Sequence, residues 1–162
     1  MARPLKLYNH THAPNPRRVR IFAAEKGIAL SLEEVDILAG QSRMPEFLAR
    51  NSSGAVPVLE LDDGSDLREQ AENTNPLFQK RIKQFQEYGE SQRAVVYQRL
   101  ERMDHELNGR EFIASDRFTI ADITALVAID FGSRLANIQI APTLAHLTRW
   151  HETVSKRSSA GA

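Results

Sequence analysis

Hydrophobic and polar positions divide the chain into two halves with different periods. In the first half, apolar residues recur in short alternating runs: Leu5 and Leu7 before Tyr8, Leu30 and Leu32 before Val35, and Val58, Leu59 and Leu61 around Glu60. A period of two over a handful of residues predicts half-buried strands. Between the first two runs, Val19, Ile21, Phe22 and Ala23 present a helical face toward a core. Asn15 is the expected cap, Pro16 suits the first turn, and Lys26-Gly27 is the stop. Arg17, Arg18 and Arg20 read as one solvated face of that helix. Pro45-Glu46-Phe47-Leu48 predicts a short helix, and Asp62-Asp63-Gly64 a tight turn that sends the chain back through Leu67. Strand, helix, strand, helix, strand, strand with short links predicts a small mixed sheet carrying helices on its faces, with a right-handed crossover joining a parallel first pair.

From about Pro76 the strand signals vanish. Leu77 to Tyr88 is amphipathic but irregular, whereas Ser91 to Leu107 places Val96, Leu100, Met103 and Leu107 at helical spacing, with Gly109 just beyond the end. Phe118-Thr119-Ile120-Ala121-Asp122-Ile123 predicts a reciprocal cap: Thr119 and Asp122 each accept from the other's backbone, and Phe118 staples onto Ile123. The helix opened there, through Ala128, Ile129 and Phe131, is apolar almost all round and is expected to be the buried centre of a helical domain. A terminal helix is expected over Pro142 to Val154, packed by Trp150, with a frayed Ser-Ser-Ala-Gly-Ala end.

Composition adds mainly exclusions. With 162 residues and 41% hydrophobic content the chain can bury one sizeable core, or two small ones packed together. Lys and Arg number 21 against 21 Asp and Glu, so no positive field favours nucleic acid or an anionic membrane. The absence of cysteine excludes disulfides, cysteine-ligated metals and Cys-x-x-Cys redox chemistry. No apolar run reaches spanning length, and Met-Ala-Arg-Pro-Leu-Lys-Leu-Tyr leads directly into a strand instead of a signal peptide, so the cytoplasm is the expected location.

Candidate chemistry concentrates at Val56-Pro57. Proline enters a sheet only at a strand's first residue, an edge or a bulge. A cis Val56-Pro57 bond would turn the N–H and C=O of Val56 out of the sheet, ready to pair with an extended peptide as in strand addition. Taken by itself the stretch reads more simply as an edge-strand proline, since cis is the minority state.

Four blocks in order give the chain a family resemblance: Ala13-Pro14-Asn15-Pro16-Arg17-Arg18-Val19-Arg20-Ile21-Phe22 with Glu25-Lys26-Gly27, Pro45-Glu46-Phe47-Leu48, Gly54 to Gly64, and Phe118-Thr119-Ile120-Ala121-Asp122. Together they resemble the cytosolic glutathione transferases, in particular the fungal and bacterial Gtt2-like members. The resemblance implies an α/β thioredoxin-like N-terminal domain (βαβαββ) over residues 1–70 and an all-α C-terminal domain over 77–162. It also implies a cytoplasmic detoxification enzyme, a homodimer if the segment that relatives carry after Gln70 is present, that conjugates reduced glutathione to a hydrophobic electrophile, or reduces peroxides with the same thiolate, without a metal. A catalytically silent glutathione-binding or interaction module is the alternative, and a ligand-free scaffold a third reading.

The site residues follow from the same resemblance. Val56 before Pro57 would pair the cysteinyl unit, Arg43 beside Gln41 would hold the glycyl carboxylate, and Glu69-Gln70 would take the γ-glutamyl end. Ala13 stands where serine-type members carry their hydroxyl, so Tyr8, Thr11 and the N–H groups around Asn15 are the remaining local stabilisers of a thiolate; His10 and His12 read as loop histidines. Gtt2-like members would instead hold a water with Ser and His from the helical domain. After Gln70 the chain passes through 71–76 straight into what resembles the tail of a long helix, so several dozen residues are expected to be missing relative to relatives, including the last helix of the first domain. An uncovered apolar sheet face costs roughly 25 cal/mol per Å², which favours an incomplete chain over a true deletion.

Overall fold

The computed structural model describes residues 5–60, 66–68 and 86–162, with side chains placed for 5–60 and 93–162. Two units form, residues 1–70 with 157–162 and residues 71–156. The expected hairpin turn at 62–64, Glu69, Gln70 and the 71–76 junction lie outside the described residues.

The first unit alternates as its apolar pattern predicts: β1 (Leu5–Asn9), α1 (Pro14–Glu25), β2 (Leu30–Glu34), α2 (Pro45–Arg50), β3 (Val58–Glu60) and β4 (Asp66–Arg68). The sheet runs in the order β2-β1-β3-β4, with β1 and β2 parallel and the other pairs antiparallel. In register, Leu5, Leu7 and Asn9 oppose Leu30, Leu32 and Glu34, and Leu7 opposes Leu59. That face meets α1, because Arg20 reaches Asn9 from the helix. Tyr8 and Val58 point the other way, into a buried cluster with Ala13, Val35, Phe47 and Val56. Helices therefore lie on both faces of a small mixed sheet, the thioredoxin-like arrangement.

Local rules place the ends of α1, with one correction. Gly27 (φ 65°) follows the helix while its N–H bonds the Ala24 carbonyl and that of Ile28 bonds Ala23, the paired closure of a left-handed helix stop. At the other end the N-cap is Ala13 rather than Asn15, with Pro14 at the first helical position. Two prolines both suit a first turn, and the helix takes the earlier one. Phe22, expected inside, is 42% exposed and lies beneath the Lys26 ammonium.

In the second unit, α3 (Gln86–Glu106), α4 (Ile120–Ala136) and α5 (Ala145–Ser155) surround Leu100, Leu107, Leu126, Leu147, Trp150 and Val154. The α4 cap closes as predicted: Ala121 N–H donates to Thr119 Oγ1 at 3.3 Å and Thr119 N–H donates to Asp122 Oδ2 at 2.9 Å. The other Asp122 oxygen accepts from Ile113 N–H at 3.0 Å and Trp150 Nε1 at 2.9 Å. α4 is not buried all round, since Ile120 and Leu135 stand exposed; its buried stripe is Ile123, Leu126 and Val127. The chain end does not fray: Ser158–Gly161 forms a 3-10 turn against α1, with Ser159 and Ala160 buried. Among the described residues no helix is long and apolar enough to cross a membrane.

Candidate functional site

Asn51 sets the loop that leads to Pro57. It is 3% exposed, its amide donates to the Ala55 carbonyl at 2.8 Å, and its Oδ1 accepts from Ser53 N–H and Oγ. Such a turn holds backbone without regular structure. Gly54 follows at φ 62°, where a Cβ would meet Ser42 O at 2.7 Å and Arg43 Nη1 at 2.8 Å, so only glycine fits. Arg43 Nη1 donates to the Ser53 carbonyl at 3.0 Å, fastening this loop to the 3-10 turn Gln41–Arg43. The turn-rich composition of Arg50 to Gly54 is legible in the sequence as a link into the Pro57 strand, whereas the part Asn51 plays in holding that turn is not.

Val56-Pro57 is a cis peptide bond. Among the described residues nothing pairs with the Val56 N–H or C=O, and pairing between β1 and β3 begins only at Tyr8 and Val58. Val56 shares its buried cluster with Ala13, so this unpaired segment sits beside the N-terminus of α1.

That helix end has no side-chain cap, and Pro14 and Pro16 contribute no N–H. Arg17 N–H already reaches the Ala13 carbonyl at 3.4 Å. The Asn15 N–H therefore remains, with no acceptor among the described residues. The Asn15 side chain turns away and accepts from Arg18. The two hydroxyls nearby are engaged by carboxylates: Tyr8 Oη donates to Glu60 Oε2 at 3.0 Å, and Thr11 Oγ1 donates to Glu34 Oε2 at 3.2 Å.

Behind Thr11 lies a polar network that the sequence did not suggest. Arg20, 8% exposed, donates from Nη1 to Asn9 Oδ1 and from Nη2 to the Thr11 carbonyl at 3.1 Å. Asn9, 1% exposed, passes the contact on by donating to Glu34 Oε2 at 2.6 Å, and Glu34 Oε1 accepts from Thr11 N–H at 2.7 Å. Burial works to raise the Glu34 carboxyl, but the bonds from Thr11 and Asn9 outweigh it and hold it below its ordinary value. Burial, then the Arg17 charge, pull Arg20 down while Glu34 opposes them. Arg20 is thus no part of a solvated face; Pro16, Arg20 and Ala23 form one buried stripe, a spacing visible in the sequence.

Of the remaining sequence candidates His10 touches this network, its Nδ1 3.4 Å from Glu34 Oε1, and the others lie apart from it. Gln41 Oε1 accepts from Asp36 N–H at 2.7 Å and Gln41, like Arg43, is exposed. His10 Nδ1 lies 3.2 Å from the Val35 carbonyl, and His12 is an exposed ring set edge-on to it. Thr119 and Asp122 serve the α4 cap.

A mixed four-stranded sheet with a proline-entered strand beside an open helix N-terminus defines a thioredoxin-like domain, here joined in one chain to a helical unit. Residues 12–72 match the family description "Glutathione S-transferase, N-terminal domain" and residues 70–158 match "Glutathione S-transferase, C-terminal domain". Glutathione S-transferase 2 of Saccharomyces cerevisiae is 26% identical over an alignment of 208 residues, covering 98% of this chain and 89% of that protein. The crystal structure of Gtt2 from the same yeast superposes with a TM-score of 0.80 at 25% identity, over 95% of this chain and 97% of its own. A Gtt2-class glutathione S-transferase of Vibrio parahaemolyticus superposes with a TM-score of 0.76 at 26% identity, over 95% and 94%. The chain belongs to the glutathione S-transferase family, and glutathione transfer is the enzymatic function that membership supports.

Proposed function

We propose that this chain conjugates reduced glutathione to a small hydrophobic electrophile. One observation carries the reading: Val56, 9% exposed, leaves its N–H and C=O without a partner among the described residues, in the same cluster as Ala13, the N-cap of α1. An extended peptide laid along this edge would supply partners to both groups. The Val56 main chain, ahead of Pro57, pairs the cysteinyl unit of glutathione. Arg43, with Gln41 alongside, holds the glycyl carboxylate, and Glu69 and Gln70 take the γ-glutamyl end.

The sulfur then comes to the start of α1. Because Tyr8 and Thr11 give their hydroxyl protons to Glu60 and Glu34, the Asn15 N–H and the partial positive charge of the helix end remain to favour a thiolate. The thiol proton leaves to solvent, the sulfur bonds to the electrophilic carbon, and the leaving group departs with the electrons of the broken bond. Toward a hydroperoxide, two glutathione thiols would yield the disulfide, an alcohol and water. Detoxification in the cytoplasm, as a homodimer, is the family's usual setting. The 208-position alignment to a chain of 162 residues supports the reading that a block present in relatives is missing here.

The test is calorimetric titration with glutathione together with ultraviolet titration of the bound thiol. Saturable binding with the thiol shifted at least about one unit below its free value near 8.5 is expected. Binding without that shift would select the silent module. No binding, and no thermal stabilisation in excess glutathione, would remove the reading altogether.

A further inference from the structure

Resting on that glutathione reading, we infer that Glu34 is a positioning residue for the thiol: its carboxylate, braced through Asn9 by the buried Arg20, clamps Thr11 and so sets the β1–α1 loop and the helix N-terminus that follows. Thr11 is held from three sides. Its N–H and hydroxyl donate to the two Glu34 oxygens, and its carbonyl accepts from Arg20. Two residues on, Ala13 N–H closes a turn onto the His10 carbonyl at 2.9 Å, and α1 begins. α1 has no side-chain cap, so these bonds, together with the His10 contact to the Val35 carbonyl and the packing of Ala13 with Val56, fix the first turn relative to Val56. A displacement of about 1 Å at a reacting centre is enough to cost orders of magnitude in rate. Placing a buried guanidinium and a carboxylate around a loop that only needs to turn would otherwise be an expensive arrangement.

The sign of one measurement separates positioning from simple charge. Glu34 is an anion near the site, faced by the His10 ring at 3.4 Å and, through Asn9, by Arg20 with Arg17 beside it, so removing its charge while leaving the loop in place would ease thiol ionisation, and the cationic charge left behind would ease it further. Loss of the clamp acts oppositely, because the helix end no longer meets the sulfur.

The experiment is the E34Q variant of the full chain, read by the pH dependence of bound-thiol absorbance, by kcat and KM with an aryl halide, and by affinity for S-methylglutathione, which has no thiol to ionise. We expect the thiol pKa to rise by about one unit, kcat/KM below that pKa to fall about tenfold and recover at higher pH, and S-methylglutathione affinity to stay within about twofold. A thiol pKa that is unchanged or lower in a folded E34Q overturns the inference, as does an equal loss of S-methylglutathione affinity. If E34Q does not fold, E34D keeps the charge but is one methylene too short to span Thr11 and Asn9; a raised thiol pKa supports the clamp and an unchanged one overturns it. A wild-type chain that fails to bind glutathione would overturn the parent reading, whereas wild-type binding with an unshifted variant overturns this inference alone.

Discussion

Two helix N-termini in this molecule are built in opposite ways. At α4 the cap is complete: Thr119 and Asp122 satisfy each other's main chain, and Asp122, fully buried, also takes Ile113 N–H and the Trp150 indole. At α1 no side chain caps the helix, two prolines remove donors, and the N–H left over belongs to Asn15. A helix needs its first donors satisfied, so the open end must either meet water or a ligand, while the closed end can carry a core. Binding of an anion needs donors that folding has not used. The α1 end retains one by transferring its positional support to the loop in front, through Glu34, Asn9 and Arg20.

Breaking the closed end should produce the largest effect. Asp122→Ala leaves the Ile113 and Trp150 donors without an acceptor and opens the cap; at about 1–3 kcal/mol per unsatisfied buried group plus about 1 kcal/mol for the cap, a loss of about 3 kcal/mol or more is expected. Trp150 is the single tryptophan, so urea unfolding followed by its fluorescence reads this directly. Asp122→Asn, which keeps one good acceptor oxygen, should fall between. A loss below about 1 kcal/mol for Asp122→Ala would mean that the α4 cap is decorative and the contrast with α1 empty.

The loop facing the open end should respond next. Gly54→Ala places a Cβ 2.7 Å from the Ser42 carbonyl at a left-handed φ, and a cost of about 1–3 kcal/mol follows from strain and contact together. Glutathione affinity should fall with it, because the same loop positions Val56. Stability equal to the wild type, by thermal melting, would show that the loop shifts freely and does not define the peptide-pairing edge.

How much of this was legible depends on range. The Thr119–Asp122 box, the Gly27 stop and the strand entry at Pro57 are decided by residues within a few positions, and each appears where local rules put it. The α1 cap was misplaced by two residues because Pro14 and Pro16 obey the same local rule. The clamp was invisible for another reason: Arg20 and Glu34 lie fourteen positions apart and are linked through Asn9 only because α1 crosses back over β1, and a run of arginines looks solvated until a sheet covers one of them. The open end of α1 was visible only as an absence, Ala13 where a hydroxyl was expected. Phe22 went the other way, apolar and helical in phase yet left outside, since burial there depends on what the fold brings against it.

Arg43→Ala removes the proposed anchor of the glycyl carboxylate together with the bond that fastens the Ser53 carbonyl. Arg43 is exposed and ties to Ser53, so the change should leave stability within about 0.5 kcal/mol. Loss of a charged partner for the glycyl carboxylate should weaken glutathione binding about tenfold, equivalent to about 1.4 kcal/mol, by isothermal titration. Unchanged affinity would remove Arg43 from the site, while leaving Val56 and the α1 terminus in place.

The smallest effect belongs to the opposite end of α1, where the chain terminus is tied down instead of left open. Arg157 bonds Glu25 through Nε at 2.9 Å and Nη2 at 2.7 Å, Ser159 donates to the same carboxylate, and Arg17 reaches the Ala160 carbonyl at 3.1 Å. The Arg157 bond, opposed by burial and joined by Ser159, holds the Glu25 carboxyl below its ordinary value. A carboxyl lowered on folding stabilises the native state above its unfolded pKa, and that contribution disappears as pH falls through the lowered folded value. Because Arg157 is 36% exposed, screening leaves the pair worth under about 1 kcal/mol. Arg157→Ala should therefore lower stability by less than about 1 kcal/mol at pH 7 and flatten the decline in stability between about pH 5 and pH 3 relative to the wild type. Chemical denaturation across that range decides it: parallel curves would mean that the Arg157 charge does not hold the terminus, which then rests on the Ser159 and Arg17 bonds and on burial of Ser159 and Ala160.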